Sequence, residues 1–227
     1  MQLLIGNKNY SSWSMRPWVM LKNAGIAFDE VLVRFDAFGA GSTFSATISK
    51  TNPVGKVPCI VHDGFAVWDT LAIAEYAAET FPDKKLWPQD AKHRARARSI
   101  CAEMHSGFGA LRSACPMNIE ASLPQVGALA LRDKPAVRAD LARIESMWTE
   151  LLAQHGGPFL FGQSFTIPDA YFAPVCMRLK TYALSANPAI NAYIERICAA
   201  PGVSHWIADA LQENDFRDFE EPYRLGR

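Results

Sequence analysis

The first part of the chain alternates between two hydrophobic periods. Leu3 to Ile5 is a short apolar run closed by Gly6, the pattern of a buried strand, and Met15 to Ala24 has helical spacing closed by Gly25. A second strand is expected over Phe28 to Val33, where Val31 and Val33 are β-branched, followed by an irregular Gly-rich segment from Asp36 to Asn52. Val57 to Val61 and Phe65 to Val67 then flank His62-Asp63-Gly64, and an Asp-Gly between two apolar runs predicts an antiparallel hairpin. From Thr70 to Phe81 the period is helical again: Leu71, Ala74 and Ala78 share a face beside Ile73, Ala77 and Phe81, until Pro82 stops the helix. The order β-α-β, loop, β-β-α predicts a small mixed four-stranded sheet with helices packed on it. Its first connection makes a parallel pair and its last an antiparallel one.

Strand patterns vanish after residue 90. Ile100, Met104, Phe108 and Leu111 follow the 3.6-residue repeat, as do Leu141, Ile144, Trp148 and Leu152, so two long amphipathic helices are expected. Pro116 to Pro135 reads as an irregular connection in which Gln125 to Arg132 can form a short helix. Thr166-Ile167-Pro168-Asp169 fits a capped helix start with Phe165 as a staple, and Asn187-Pro188 and Pro201-Gly202 divide the remainder into two short helices. Pro82 to Gln89 reads as a linker, giving an α/β unit over 1–82 and an all-α unit over 90–227. The closing Phe216 to Tyr223 mixes aromatic and charged residues, as either a loose tail or a segment folded back over the body.

Composition narrows the function. In 227 residues, 23 Lys and Arg balance 23 Asp and Glu, which argues against a general polyanion binder, and 49% apolar with 20% charged residues exclude disorder as the main state. No apolar stretch approaches the ~20 residues of a membrane-spanning helix, and the start lacks the basic and apolar regions of a signal peptide, so a cytoplasmic protein is expected. Five scattered Cys residues without C-x-x-C spacing suit buried thiols in a reducing compartment, and no His or Cys stands at metal-ligand spacing. The basic run Lys92 to Arg98 lacks interleaved aromatics and reads as a solvated helix face or subunit contact rather than a nucleic-acid site.

Four features of the α/β unit can carry chemistry. The hydroxyl-rich loop Asn9-Tyr10-Ser11-Ser12-Trp13-Ser14 precedes the first helix, whose N-terminal amides suit either an anion or a simple serine cap. In Asn52-Pro53-Val54-Gly55-Lys56-Val57-Pro58, Pro58 enters a strand. The stretch is either an ordinary turn or, with a cis bond, one that turns the Val57 backbone outward toward an extended peptide. Asp69 and Thr70 open a helix, where they either cap it or hold the ammonium and carboxylate of an amino-acid group. Lys56 is an isolated cation near the same strand end.

In this order and spacing the features resemble the glutathione transferase family. Its members have a thioredoxin-like N-terminal domain with a Ser-containing loop, a Val-Pro turn and an acidic-hydroxyl pair opening a helix, here Asp69-Thr70-Leu71-Ala72-Ile73, and Thr166 to Ala170 is similar to the start of a helix in the family's all-helical C-terminal domain. The resemblance implies that glutathione, as co-substrate, lies beside Val57-Pro58. Its γ-glutamyl end would be held by Asp69 and Thr70 and its glycyl carboxylate by Lys56, with its sulfur toward the first helix. Counting back from Arg16, zeta- and tau-like members would use Ser11 as the hydrogen-bond donor to sulfur, and delta- and theta-like members Ser12. Tyr10 and Trp13 complete the loop. Beta-like members carry a cysteine where this chain has Trp13, and omega-like members where it has Ser11, so conjugation or isomerisation is favoured over disulfide exchange.

The resemblance further implies a homodimer acting on a small electrophile, with no metal, nucleic acid or membrane partner. Glu103, His105, Ser106 and Arg112 lie on the helix that borders the co-substrate pocket and dimer axis in that family, and at least one is expected to line the pocket. The alternatives are a glutathione-dependent isomerase of the maleylacetoacetate type, which usually has a cysteine in place of Trp13, and a non-catalytic glutathione-transferase-like binding protein.

Overall fold

A computed structural model describes residues 1–37 and 41–226. Strand β1 (Gln2–Ile5) runs parallel to β2 (Asp29–Leu32) and antiparallel to β3 (Cys59–His62), which forms the hairpin with β4 (Phe65–Trp68). The sheet order is β2-β1-β3-β4, the mixed four-stranded arrangement expected. Alternation along β1 sends Leu3 and Ile5 into a core shared with the helices, whereas Leu4 joins Val33, Phe35, Phe44, Ile48 and Cys59 on the opposite face. Both faces are covered, which is why β1 reads as an unbroken apolar run.

Helix α1 (Ser12–Asn23) begins three residues before the expected Met15 and ends one before the expected Ala24. Pro17 thus falls inside the helix, where the carbonyl of Trp13 loses its helical donor. A second departure is α2 (Thr43–Ile48), a six-residue helix capped by Ser42 within the segment expected to be irregular; residues 38–40 of that segment lie outside the described residues. Helix α3 (Thr70–Thr80) ends one residue before the expected Phe81, and Pro82–Lys84 forms a 3-10 turn.

The rest is helical. The long helix expected through Leu111 is broken: α4 (Ala91–Ser106) ends at Gly107, and Phe108, in the left-handed region with φ 54°, starts α5 (Gly109–Ala114). The apolar repeat continues through the break because Met104, Phe108 and Leu111 all remain buried. The Pro116 to Pro135 connection contains α6 (Pro124–Asp133), followed by α7 (Pro135–His155). The remaining helices are α8 (Ile167–Thr181), α9 (Pro188–Ala199) and α10 (Pro201–Glu213). Four of the five free cysteines are buried and Cys198 is half-buried. The terminal segment folds back: Tyr223 donates to the Ala114 carbonyl at 2.7 Å, and Arg34 donates to Asp215 at 2.6 Å.

One apolar core runs from the sheet through α1 and α3 to α4, α7, α8 and α9. Helix α8 is at its centre, and its start is fixed by Asp169. This fully buried carboxylate accepts from Thr166 N at 2.9 Å, Thr166 Oγ at 3.0 Å, Leu160 N at 3.1 Å and Tyr193 Oη at 3.0 Å. Burial pushes its carboxyl up to about 6, against the four donors that favour the ionised form. Asp169→Ala strands those donors in the core. Urea unfolding should show a loss of about 3–5 kcal/mol, and a loss under about 1 kcal/mol would show that the carboxylate does not organise this helix.

Candidate active site

Two adjoining cavities, of about 730 Å³ and 330 Å³, share Trp13, Val54, Lys56, Val57 and Arg112. The smaller contains Pro58, Asp69 and Thr70; the larger contains Tyr10, Ser11, Ser12 and Arg178. The nine residues of the α/β unit given a catalytic or binding role from the sequence therefore line one continuous depression.

The Val57–Pro58 bond is cis, and among the described residues neither the amide nor the carbonyl of Val57 is hydrogen-bonded within the protein. Asn52, buried behind the turn, donates to the Lys56 carbonyl at 2.6 Å and fixes its shape. The Lys56 side chain is exposed and lines both cavities.

Asp69 caps α3 by accepting from Leu71 N at 2.8 Å, with its backbone at φ 72°, a region where side-chain-bearing residues cost about 1–3 kcal/mol. Its second oxygen lies 3.2 Å from His105 Nε2 on α4. The adjacent Thr70 is buried and accepts from Tyr171 Oη on α8 at 2.9 Å. Of the four α4–α5 residues singled out, His105 and Arg112 line the depression. Glu103 pairs with Arg143 at 2.7 Å, and Ser106 donates to the Ala102 carbonyl. In the basic run, Arg98 pairs with Glu75 at 2.7 Å.

The two loop serines differ in what their hydroxyls do. Ser11 is buried and donates to Ser14 Oγ at 2.7 Å, while its oxygen caps α1 by accepting from Ser14 N at 3.4 Å. Ser12 is half-buried, and its Oγ accepts from Arg178 Nη2 at 3.3 Å, leaving its own proton available to the cavity. The Tyr10 ring lines the large cavity, but its hydroxyl donates to Glu221 at 2.8 Å. Burial and that carboxylate push the phenol above its usual range.

Arg178 was not singled out by the sequence. It is 6% exposed, donates to the Cys115 carbonyl at 2.5 Å and has no salt bridge among the described residues. Burial pulls its guanidinium down to about 10, with the like charge of Arg112 acting in the same direction. Arg16, 2% exposed, is lowered to about 9 by burial, so both remain cationic at neutral pH. Two guanidiniums lie over the Trp13 ring, Arg16 at 4.2 Å and Arg112 at 5.0 Å from its centroid. The signal for Arg178 was a single cation in the otherwise apolar run from Phe172 to Leu179.

Residues 10–80 match the family model for the glutathione S-transferase N-terminal domain, and residues 93–196 match that for the C-terminal domain. The chain belongs to the glutathione S-transferase family. It is 30% identical over 193 residues to a probable maleylacetoacetate isomerase of Caenorhabditis elegans, covering 84% of this chain and 85% of that one. Glutathione S-transferase 1 of Dianthus caryophyllus is 30% identical over 175 residues, with 77% and 75% covered. A sphingomonad glutathione S-transferase complexed with glutathione matches with a TM-score of 0.65 at 25% identity, covering 92% of this chain and 98% of that one. The α/β half of this glutathione S-transferase is thioredoxin-like, and its helical half supplies Arg112, Arg178 and His105 to the depression.

The unequal commitments of the serines separate by stability. Ser11→Ala removes the α1 cap and should lower the unfolding free energy by about 1 kcal/mol, whereas Ser12→Ala, whose arginine partner can turn to cavity water, should change it by less than about 0.5 kcal/mol. Equal losses in denaturant titration would contradict the assignment of Ser11 as the structural member.

Proposed function

We propose that the protein is a glutathione transferase in which Ser12 donates a hydrogen bond to the glutathione sulfur. The observation that carries this reading is the Arg178 to Ser12 contact, because a hydroxyl that accepts from a guanidinium is polarised to donate its own proton onward. Glutathione would lie along the smaller cavity. Its main chain would pair with the free backbone of Val57, its γ-glutamyl ammonium and carboxylate would meet Asp69 and Thr70, and its glycyl carboxylate would meet Lys56, with Tyr10 and Trp13 as walls. The sulfur would then sit at the N-terminus of α1, near the cations Arg112 and Arg178. A free thiol near pKa 8.5 is mostly protonated at neutral pH; donors and positive charge around its ionised form lower that value.

The thiolate attacks an electrophile in the larger cavity. With an aryl chloride, sulfur forms the new carbon bond and chloride leaves with the bonding pair, so the serine is a donor throughout and never the nucleophile. A second reading, a glutathione-dependent isomerase, is favoured by Arg112 and Arg178, which lack salt-bridge partners among the described residues and suit a carboxylate-bearing substrate. There the thiolate would add to a cis carbon–carbon double bond, the resulting single bond would rotate, and sulfur would leave again. Trp13, in place of the cysteine usual for that activity, ranks this reading second.

A cytoplasmic homodimer fits the free cysteines and an edge strand that exposes large side chains. Phe65 is 62% and Trp68 38% exposed on β4, and a second copy would bury them. Sedimentation should give twice the 25.1 kDa chain mass, and Phe65→Asp should shift the equilibrium toward monomer. A wild-type monomer at micromolar concentration would exclude this assembly.

The mechanism is tested by the ultraviolet absorbance of bound glutathione thiolate against pH. The bound thiol should titrate one to two units below the free one, and Ser12→Ala should return about one unit, or ~1.4 kcal/mol, with a ~10- to 100-fold loss in kcat/KM. Ser11→Ala should leave that titration in place. Glutathione bound with an unshifted thiol would identify a non-catalytic binding protein instead.

A further inference from the structure

Among the described residues lining the large cavity, three side chains are cationic, Lys56, Arg112 and Arg178, and a single one is a carboxylate, Glu220. Glu220 ends the 3-10 turn Asp218–Glu220 in the C-terminal segment. That segment is anchored on both sides of it. Arg217 N donates to Tyr10 Oη at 3.2 Å, and Glu221 accepts from Tyr10 and from Asn118, each at 2.8 Å. Tyr223 adds its bond to the Ala114 carbonyl.

Glu220 shares none of these ties. Its carboxylate has no hydrogen-bond or ion-pair partner among the described residues, although it lies within the field of Arg178. Its neighbours hold the backbone in place and leave this one carboxylate facing a cationic cavity.

We propose that Glu220 is a built-in competitor for co-substrates that carry a carboxylate: when ionised, it occupies the field of Arg178 and Arg112 that such a co-substrate must use. This rests on reading the large cavity as the co-substrate site. It makes Glu220 a specificity-determining residue, one that favours uncharged electrophiles when ionised and admits anionic ones when neutral.

Burial pushes the Glu220 carboxyl up to about 7, with Glu221 acting in the same direction and Arg178 opposing. The other titratable and charged groups lining the same cavity are Arg112 from α5, Tyr10 from the loop before α1 and Lys56. Arg178 remains charged and Tyr10 remains neutral around pH 7, whereas Glu220 changes charge there. Below about pH 7 it is neutral and the guanidiniums are uncompensated; as pH rises through that value it ionises and anion binding weakens.

The test pairs chlorodinitrobenzoate with its uncharged methyl ester, which share one reacting carbon, in the wild-type protein and Glu220→Gln. The ratio of KM values, benzoate over ester, should rise with pH through about 7 in the wild type. In Glu220→Gln at about pH 8 it should be roughly three- to tenfold lower and lose that pH step. Calorimetric binding of dinitrobenzoate, which has no chloride to lose, should tighten in the variant by the same factor. If dinitrobenzoate binds both proteins equally, or the KM ratio does not change, the proposal is overturned. If the variant binds dinitrobenzoate more tightly while neither protein conjugates either electrophile, the transferase reading fails and the competitor role stands. If the ester is conjugated but neither protein binds dinitrobenzoate, the transferase reading stands and the competitor role fails.

Discussion

Ser12 is gripped at two atoms by two buried arginines, and the rest of the site is arranged around that grip. Arg16 donates to its carbonyl at 2.9 Å and Arg178 to its hydroxyl at 3.3 Å. Neither guanidinium has a salt-bridge partner among the described residues. Each uses backbone carbonyls instead: Arg16 that of Tyr171 at 3.1 Å, and Arg178 that of Cys115. Burying a charge without a counterion is costly, and dipolar carbonyls offset that cost only in part. Two such charges beside one hydroxyl leave a positive field in which, among the described residues lining the large cavity, Glu220 is the single carboxylate. A site of this kind stabilises an anion placed against Ser12, and a thiolate is such an anion.

One side of the grip, Arg16, belongs to α1 and the other, Arg178, to the helical half, which also holds other elements of the depression. Asp69 meets His105 of α4, Thr70 meets Tyr171 of α8, and the loop carrying Tyr10 is tied to the C-terminal segment through Glu221. The segments after β1, before β3 and after β4 supply the residues, and α4, α8 and the C-terminal segment hold those of the first and last. The apolar core is continuous across both halves, and contacts from the helical half complete a depression whose local turns and caps, such as the Asn52 to Lys56 bond, belong to the thioredoxin-like half.

The sheet was legible in the sequence because its alternation is simple: Leu3, Leu4 and Ile5 face two cores, and Asp63-Gly64 marks the hairpin. Helix α2 was not, since six residues with two buried positions, Phe44 and Ile48, give no period to detect. The break at Gly107 was hidden because Phe108 and Leu111 stay buried on its far side. The residues proposed for the site in the first half stand in short motifs whose order pointed to them, and they line the adjoining cavities. Arg178 lies 166 residues from the hydroxyl it holds, a relation that only the packing of α1 against α8 creates. Glu220 sits in a segment whose sequence allowed either a loose tail or a folded one, and the deciding contacts, with Tyr10, Asn118 and Ala114, are all far away in the chain.

Trp13 gains a physical meaning from this arrangement. A cysteine at that position would stand beside Arg16 and Arg112, whose positive charge favours a thiolate. The protein would then hold its own thiolate at the place proposed for the glutathione sulfur, and the two would react as partners in disulfide exchange once oxidised. The indole ring accepts the same guanidiniums on its faces without becoming an anion. The cationic field at the start of α1 is thereby left for a ligand, which suits the proposed stabilisation of a sulfur that arrives with the substrate better than thiol exchange by the loop itself.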